Sequence, residues 1–434
     1  MLQYNTSFVD NDAVIEILRR SYNYVDKRLM DHGVRVAYII FRLLREQPNI
    51  SLPQLRNICF LAALHDVGAY KTEEIDRMVQ FESHEVWRHS IYGYLFIKNF
   101  TPLSEMAYAI LFHHTAWHVL DGLDIASEDN KNIAQLIYIA DRLDIWMNGQ
   151  QRSYSEFLDV ISKERGERFR SEIVDLMMEH QFSPFSADDA ENDNIFQQLQ
   201  TEIEFTQEEV IDYLNMIIFS IDFRSTHTVT HTMTTTSISN ELAIHMKLPS
   251  EYRNQIVTGA VLHDLGKIAI PVEILEYPGP LESADMEIMR SHVLITEKII
   301  DGYVPRVIQN IAVRHHEKLN GTGYPYGLQA QELSLGERIV ALADIVSALA
   351  GVRSYKESFG KEQIISIISQ MKEDGLIDGG LVACMIESYD DIMEKTQVHC
   401  RQAMDIYENL QVEYNSLYGQ YQAFIRATAY RALT

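Results

Sequence analysis

The chain has 434 residues, of which 46% are hydrophobic, so it is too long for one ordinary core and predicts two or more globular domains. Its 37 Lys and Arg residues against 62 Asp and Glu residues give a formal net charge of −25. This charge excludes binding of long nucleic acid through a generally basic surface. An anionic substrate would need metal ions or a few selected Lys and Arg side chains.

Cysteine usage and hydropathy together predict a cytoplasmic protein. The three cysteines, Cys59, Cys384 and Cys400, show no paired or CxxC spacing, which indicates a reducing compartment. No apolar run approaches the roughly eighteen residues that a membrane helix needs, and the N-terminus lacks a basic stretch followed by an apolar one. We therefore expect no membrane segment.

The first part of the chain shows helical periodicity. Apolar residues recur at spacings of three and four, and strand signals are scarce throughout, so the predicted fold class is all-α. The predicted helices cover residues 12–24, 34–46, 52–64, 90–100 and 105–113. Histidines and aspartates lie within or at the ends of these patterns, and each taken singly is interpreted as a core or surface residue: His32, His65, Asp66, His89, His113, His114 and Asp141.

The same residue types recur about 200 residues later in the same order. The offsets lie between 198 residues (from 65 to 263) and 203 residues (from 141 to 344). This regularity indicates an internal duplication, with two tandem copies of a helical metal-binding domain. The matching pairs are His32 and His231, His65 and His263, Asp66 and Asp264, His89 and His292, His113 and His315, His114 and His316, and Asp141 and Asp344.

An acidic stretch separates the two copies. Residues 183–193 read SPFSADDAEND, which is typical of an exposed linker. We therefore predict a first domain over 1–182, a linker over 183–205 and a second domain over 206–385. Thr206 and Glu209 have the spacing of a capping box at the start of a helix predicted over 207–221.

A threonine-rich helix is predicted next, over residues 226–246. Because threonine disfavours helix intrinsically, tertiary packing or ligation must hold this segment. His227 and His231 are four residues apart and share a face of this helix. Either His227 joins His231 as a ligand, or it is an exposed histidine at the start of the helix.

The chain ends in a long helix predicted over residues 386–434. Its stripe of apolar and aromatic residues at spacings of three and four carries no catalytic residue types. The stripe is either the seam of a homodimer or a face packed on the chain's own domains, and its tyrosines make it a poor strict coiled coil. The residues are Ala403, Ile406, Leu410, Tyr414, Leu417, Tyr421 and Phe424.

The second copy contains the residue types of a two-metal site. His315 and His316 are adjacent at a predicted helix end, about 100° apart, so they can reach two neighbouring ions. His263 can bind one ion while the carboxylate of Asp264 can bridge two. Lys267 lies four residues after His263 and is predicted on the same helical face, where its ammonium could meet a phosphate oxygen or a leaving group.

The two copies differ where chemistry would be decided. The first has Ala69 in place of Lys267, Thr115 in place of Glu317 and Ser155 in place of Lys356. We therefore favour a structural or regulatory first domain that still holds metal over a second active phosphohydrolase. In the latter case, Lys71 or Arg152 would supply the missing cation.

The motifs of the second copy resemble the HD-GYP family, metal-dependent phosphodiesterases of bacterial cyclic-dinucleotide signalling. The set comprises His263-Asp264-x-Gly266-Lys267, His315-His316-Glu317 and Gly321-x-Gly323-Tyr324-Pro325. It covers residues 206–385, while residues 25–155 resemble only the broader HD superfamily. The metal ligands that this resemblance implies are His231, His263, Asp264, His292, His315, His316 and Asp344, with His227 as a ligand if a third ion is present.

The resemblance also implies the remaining site residues and the cofactor. Lys267 would be the catalytic lysine, and the loop of Gly323, Tyr324 and Pro325 and the pair Arg353 and Lys356 would bind substrate. Ser354 replaces the proline that the family usually has between these two cations. The expected cofactor is two or three divalent ions, iron or manganese, with further metal in the first domain at His32, His65, Asp66, His89, His113, His114 and Asp141.

The implied reaction is hydrolysis of cyclic di-GMP to pGpG, or on to GMP, by a metal-bridging hydroxide. Base-reading residues are not visible in the sequence, so cyclic GMP-AMP is an alternative substrate. An alternative function is that of a metal-loaded receptor that binds a cyclic dinucleotide without turnover, although the intact lysine and Gly-Tyr-Pro motif weigh against it. Mononucleotide hydrolysis is a third alternative, disfavoured by the same motif.

Overall fold

The computed structural model describes residues 8–25, 27–69, 87–182, 205–222, 231–351 and 359–432. Within these ranges the chain consists of helices and their connections, and no β-strand occurs in them. Pairing of extended backbone is limited there to isolated bridges, Arg165 with Phe169 and Asn320 with Gln329. The predicted all-α fold is confirmed. None of the described helices has both the length and the hydropathy needed to cross a membrane.

The helices before the linker carry the first set of histidines and aspartates. They are α1 (Asn11–Val25), α2 (Lys27–Leu44), α3 (Leu52–Ala63), α4 (Trp87–Phe100), α5 (Ala107–Leu111), α6 (Trp117–Leu120), α7 (Glu128–Asp144), α8 (Tyr154–Lys163) and α9 (Ser171–Met178). A 3-10 turn at Ser104–Met106 precedes α5, and a π turn at Ile145–Gly149 follows α7.

The helices after the linker repeat this order. They are α10 (Gln207–Asp222), α11 (His231–His245), α12 (Ser250–Leu262), α13 (Val272–Leu275), α14 (Ser283–Ile300), α15 (Arg306–Val313), α16 (Leu335–Ala350), α17 (Lys361–Glu373), α18 (Gly379–Glu387) and α19 (Tyr389–Ala432). Further 3-10 turns lie at Leu265–Ala269 and Ala330–Glu332. The helices α2, α3, α4 and α7 therefore have α11, α12, α14 and α16 as counterparts.

Local sequence signals explain several helix starts. The predicted capping box before α10 is present, because the Thr206 N–H donates to Glu209 at 2.7 Å and the Glu209 N–H donates to the Thr206 hydroxyl at 3.3 Å. Ser51 and Ser334 form the same arrangement before α3 and α16. Pro305 stands immediately before α15.

Two predicted helices are interrupted in the structure. The helix predicted over 105–113 begins with a 3-10 turn and ends at Leu111, so that His113 lies beyond it. The C-terminal helix predicted from residue 386 begins at Tyr389, because Ser388 leaves helical geometry and caps α18. The Ser388 hydroxyl is 3.1 Å from His245 Nδ1, so a side-chain contact accompanies this break.

The chain divides into two compact units. One comprises the described residues of Met1–Ser21 and Thr206–Asn409. Its hydrophobic core is built from α11, α12, α15, α16, α17, α18 and the start of α19. Fully buried members of this core are Ile238, Leu242, Ile256, Ile311, Ile339, Val346, Ile364, Leu381 and Ile392.

The first helix packs with the second domain. The sequence-based division placed α1 in the domain over 1–182, but its residues up to Ser21 belong to the unit that contains Thr206–Asn409. Arg20 Nη1 donates to the carbonyls of Lys298 and Asp301 at 2.9 Å each. Because the last carbonyls of a helix have no partner within it, this guanidinium caps the C-terminus of α14.

The second unit comprises the described residues of Tyr22–Phe205 and Leu410–Thr434, so it includes the end of α19. There, Tyr414 stacks on Tyr92 with ring centroids 4.3 Å apart, and Lys98 Nζ is 2.6 Å from Glu413. Both Tyr92 and Lys98 belong to α4. At these positions, the helix packs on the chain's own domain, which is one of the two alternatives that its sequence left open.

Candidate metal centre and active site

Three histidines of the second domain are each held by a hydrogen bond to the backbone carbonyl three residues earlier. His263 directly follows α12, and its Nδ1 lies 2.6 Å from the Ala260 carbonyl. His292 Nδ1 is 2.6 Å from the Met289 carbonyl, and His315 Nδ1 is 2.7 Å from a carbonyl of α15. A carbonyl can only accept, so each Nδ1 carries the proton and each Nε2 presents a lone pair to the site.

Asp264 lies between these histidines. Its Oδ2 is 3.1 Å from His263 Nε2 and 3.4 Å from His231 Nε2. Its Oδ1 is 3.4 Å from His292 Nε2 and 4.0 Å from His315 Nε2. Each carboxylate oxygen therefore faces a different pair of imidazoles, which is the arrangement of a carboxylate that can bridge two ions.

Asp344 supplies a second carboxylate from α16. Its Oδ1 is 3.0 Å from His231 Nε2, and its Oδ2 is 3.6 Å from His316 Nδ1. Burial by itself would raise the pKa of Asp344, but the hydrogen bond with His231 and the neighbouring imidazole of His316 outweigh it and hold this pKa well below its usual range. All seven ligand residues predicted for this domain are thus brought together.

The donor set fits divalent metal ions. His263 Nε2 and Asp264 Oδ1 are buried and have no hydrogen-bond partner among the described residues. His292 Nε2 and His315 Nε2 are 3.4 Å apart and both present lone pairs, an arrangement that a cation bound between them would satisfy. Burial lowers the pKa of His292 to about 4 and that of His316 to about 3, so both imidazoles are neutral, as ligands must be.

Lys267 reaches the site in a different way from the one predicted. The sequence suggested that it shares a helical face with His263, but α12 ends at Leu262 and Lys267 lies on the 3-10 turn Leu265–Ala269. From there, its Nζ is 2.5 Å from Asp264 Oδ2. The lysine is therefore bonded to the carboxylate that lies between the histidines.

A glycine allows the two halves of the histidine cluster to approach. A Cβ at Gly266 would collide with the His292 carbonyl on α14, so only glycine fits there. The Gly266 N–H donates to the Thr296 hydroxyl at 2.8 Å, and that hydroxyl donates to the His263 carbonyl at 3.1 Å. Thr296 was not identified from the sequence, because its partners are about thirty residues away.

Glu317 organises the loop that carries Tyr324. Its side chain is only 2% exposed and accepts the backbone N–H of Tyr326 at 2.7 Å and of Leu328 at 2.9 Å. A Cβ at Gly323 would collide with the backbone of Glu317. Glu317 and Gly323 thus together hold this loop against His315 and His316.

The loop places an aromatic ring beside the metal ligands. The rings of Tyr324 and His316 have centroids 4.7 Å apart, and Pro325 follows a cis peptide bond. The guanidinium of Arg290 lies 5.0 Å from the centroid of the Tyr324 ring. Arg290 is exposed, and no carboxylate of the described residues forms an ion pair with it. The sequence analysis missed it, although it lies two residues before His292.

The first domain assembles a matching cluster. His65 Nδ1 and His113 Nδ1 lie 2.7 and 2.5 Å from carbonyls three residues earlier. Asp66 Oδ2 is 3.3 Å from His65 Nε2, and Asp66 Oδ1 is 3.5 Å from His89 Nε2. The predicted ligands form two adjacent groups, one of Asp66, His89, His113 and His114 and the other of His32, His65 and Asp141.

Charged residues around the first cluster differ from those around the second. Arg142 donates to Asp141 Oδ2 from Nη2 at 2.6 Å and from Nε at 3.0 Å, where the second domain has Ile345. Asp144 Oδ2 is 2.6 Å from His32 Nδ1, where the second domain has Ser347. Neither residue was singled out from the sequence, and in the case of Asp144 the partner His32 is 112 residues away on α2.

Several predicted residues lie outside the described part of the chain. These are His227, Arg353, Lys356 and Lys71, as well as the acidic linker up to residue 204. Arg152 is described, and its guanidinium lies 4.6 Å from the centroid of the Trp146 ring. The predicted roles of these residues therefore stay predictions.

Comparisons with known proteins find two HD domains in the chain. Models described as HD domains match residues 215–381 and 29–146. A Vibrio cholerae protein named 3'3'-cGAMP-specific phosphodiesterase 1 is 27% identical over 369 residues, which cover 80% of this chain and 85% of that protein. A Thermotoga maritima protein named cyclic di-GMP phosphodiesterase is 36% identical over 159 residues, which cover 36% of this chain and 42% of that protein.

A solved structure shares the fold. The crystal structure of a cyclic GMP-AMP specific phosphodiesterase from V. cholerae matches with a TM-score of 0.50 and 19% identity. The match covers 86% of this chain and 97% of that one. At this identity, the likeness supports the all-α fold and the presence of two helical domains.

Proposed function

Because the chain belongs to the HD superfamily, with HD domains at residues 29–146 and 215–381, we propose that its second domain hydrolyses a phosphodiester bond of a cyclic dinucleotide. The observation that carries this proposal is Asp264, whose two oxygens face different pairs of imidazoles while its Oδ2 also bonds to Lys267. The relatives of this chain include proteins named as phosphodiesterases of cyclic GMP-AMP and of cyclic di-GMP.

The extent of these matches bears on the substrate. The relative that spans 80% of the chain is named for cyclic GMP-AMP, whereas those named for cyclic di-GMP match 32–45% of it. Cyclic di-GMP, cleaved to pGpG or further to GMP, stays a candidate. We propose cyclic GMP-AMP as an equally serious one, since the longer match includes both domains.

The residues of the second domain would have different roles in hydrolysis. Divalent ions held by the histidines, Asp264 and Asp344 would lower the pKa of water and neutralise the phosphate. Lys267 stabilises charge that develops on the phosphate or protonates the departing sugar oxygen. Glu317 holds the loop whose Tyr324 lines the site, which orients the substrate against the ligands. Iron and manganese both suit this imidazole-rich set.

Metal and product analysis tests the proposed function. The purified full chain is analysed for bound metal and incubated separately with cyclic GMP-AMP, cyclic di-GMP and a mononucleotide, with either Fe²⁺ or Mn²⁺ present. We expect a linear dinucleotide from at least one cyclic substrate. Tight binding of a cyclic dinucleotide without any product would instead support a receptor, and release of phosphate from the mononucleotide alone would contradict the proposal.

Replacing Lys267 separates catalysis from metal binding. We expect Lys267→Ala to keep its metal but to lose about tenfold or more in kcat, the lower range for a positioned acid or charge stabiliser. Lys267→Arg, which keeps the charge with a different shape, is the matched control and should recover part of the loss. An unchanged rate in the alanine variant would leave the lysine with a purely structural role.

Arg290 should bind the substrate rather than the metal. In a chain of net charge −25, an exposed guanidinium stacked on Tyr324 is suited to attract an anionic dinucleotide. We expect Arg290→Gln to raise KM about tenfold, with metal content and kcat little changed, as for loss of one charged contact. The control is Arg306→Gln, which removes an exposed arginine whose Nη1 lies 4.0 Å from Glu297 Oε1. Equal KM values in both variants would exclude this role.

The first domain should be a metal-holding domain without diesterase activity. Its site keeps the ligand groups but has Ala69 and Thr115 in place of Lys267 and Glu317. We propose that its role is structural or regulatory. Cleavage of the dinucleotide that survives Asp264→Ala and disappears when Asp66→Ala is added would contradict this assignment and would direct attention to Arg142, Arg152 and Lys71.

Homodimerisation through α19 is a separate proposal. Part of its stripe is used within the chain, since Tyr414 packs on Tyr92 and Leu410 is buried. If other positions of the stripe form a seam, a chain ending at Gln402 should be monomeric in light scattering while the full chain is dimeric, and the shortened chain should keep the metal of its second domain. A monomeric mass for each of the two chains would exclude the seam.

A further inference from the structure

We propose that the two domains hold their metal ions with unequal strength, so that the first retains its metal while the second exchanges it. This inference rests on the proposed binding of metal by both domains, and it extends that proposal to a division of labour. Metal in the first domain would stabilise the folded domain. Metal in the second domain would control the activity, because its occupancy would follow the concentration of free metal ions. The observations come from corresponding positions of the two copies.

The first observation concerns the histidine that begins each ligand set. His32 Nδ1 contacts the Asp144 carboxylate at 2.6 Å, and Asp144 is itself fixed by Arg35 at 2.6 and 2.9 Å and by Asn148 at 2.7 Å. In the second domain, a hydroxyl takes the equivalent place among the described residues, with His231 Nδ1 3.0 Å from Ser347 Oγ.

A carboxylate partner strengthens an imidazole ligand more than a hydroxyl does. It stabilises positive charge on the ring, fixes the tautomer and limits rotation of the ring, all of which favour a bound cation at Nε2. The same carboxylate also favours a proton on that ring, but a divalent ion carries twice the charge of a proton. Asp144 is therefore assigned as a positioning residue of the first metal site.

The second observation concerns the central carboxylates. Asp264 Oδ2 is shared with the Lys267 ammonium at 2.5 Å, so metal and lysine compete for this oxygen. Asp66 has Ala69 at the corresponding position, and its described neighbours are the imidazoles of His65, His89 and His113 at 3.3–3.6 Å. Both oxygens of Asp66 are thus directed to the ligand cluster.

The third observation is access. The side chain of His114 is 9% exposed, against 24% for its counterpart His316, and Asp141 is 2% exposed against 11% for Asp344. A chelator or a water molecule therefore reaches the second cluster more easily. Substrate must enter the second site, so its opening is a requirement of the proposed reaction.

Net charge does not account for the difference. Around the first cluster, the carboxylates of Asp66, Asp141 and Asp144 face two guanidinium groups, those of Arg35 and Arg142. Around the second, Asp264 and Asp344 face Lys267, and Lys318 lies near Asp344 and Glu317. Among these described residues, each cluster has three carboxylates against two cations, and the inequality depends on hydrogen bonding and access.

Chelation of the full chain tests the inference. The protein is loaded with Mn²⁺ at pH 7.5 and titrated with EDTA, and bound metal and thermal unfolding are measured at each step. We expect loss of metal in two phases separated by about tenfold or more in chelator concentration. Asp264→Ala should keep only the tighter phase, and Asp66→Ala only the weaker one.

Asp144 and Ser347 occupy corresponding positions in the two domains and therefore provide matched variants. Asp144→Ser gives the first domain the partner that the second has, and it should shift the tighter phase about 10–100-fold toward weaker binding while the weaker phase stays in place. Ser347→Ala should move only the weaker phase. If Asp66→Ala does not fold, the shift in Asp144→Ser still assigns the phases.

The possible failures are distinguishable. A single phase in the wild type, or loss of the first domain's metal before that of the second, would overturn the inference. Metal in the second domain alone would overturn it together with the proposed role of the first domain. Two correctly assigned phases in a protein that cleaves no cyclic dinucleotide would sustain the inference and reject the proposed hydrolysis.

Discussion

Asp264→Ala is expected to abolish turnover and to lower the metal content of the second domain. The carboxylate faces four imidazoles, with Oδ2 directed to His263 and His231 and Oδ1 to His292 and His315. No neighbouring side chain can replace both oxygens. Since loss of partners outside the ligand set costs about 10–100-fold, we expect loss of this ligand to lower kcat/KM by roughly a thousandfold or more.

The control for this variant is Asp264→Asn. It keeps the shape and one oxygen but removes the charge, so it should retain more of the fold than the alanine variant while still losing turnover. Metal content is measured by elemental analysis and hydrolysis by separation of the nucleotide products. Full activity in either variant would exclude a bridging role for this carboxylate and would reject the proposed mechanism.

Glu317→Ala is expected to have the second largest effect, although Glu317 is not one of the predicted ligands. Its buried carboxylate accepts the backbone N–H groups of Tyr326 and Leu328, and this holds the loop that carries Tyr324. Hydrogen bonds to a charged group contribute about 1.5–3 kcal/mol each, so losing both should release the loop and lower kcat/KM by roughly 100-fold.

Glu317→Gln distinguishes a loop effect from a charge effect. The amide keeps one acceptor oxygen for these N–H groups, so activity should fall less than in Glu317→Ala, while metal content stays near the wild-type value in both. Gly323→Ala offers an independent check, because a Cβ there would collide with the backbone of Glu317 and displace the same loop. Normal kcat/KM in both Glu317→Ala and Gly323→Ala would show that the loop does not position substrate.

The sequence by itself determined the class of the fold and the residue types of both clusters. Helical periodicity predicted an all-α chain, and the constant offset between the copies identified the duplication before any structural information was used. Short-range signals were also reliable, as the capping box of Thr206 and Glu209 shows. Such features depend on residues within one or two helical turns of each other.

Features that depend on distant residues were decided by the tertiary structure. Lys267 contacts Asp264 because α12 ends before the His-Asp pair, whereas the sequence pattern suggested one continuous helical face. The helix α1 packs with the second domain, where Arg20 caps α14, a partner 278 residues away. Local propensity contains no information about such partners, because burial and charge select them only after the helices have packed.

The chemical difference between the two clusters belongs to the same category. Repeated His and Asp predicted the ligands from the sequence, but Asp144 and Ser347, which contact His32 and His231, lie more than 100 positions from those histidines. Which nitrogen of each imidazole faces the site was equally undetermined, since this depends on which carbonyl its Nδ1 reaches at the end of a helix. The sequence thus predicts which residues form each cluster, whereas the orientation of their side chains depends on packing.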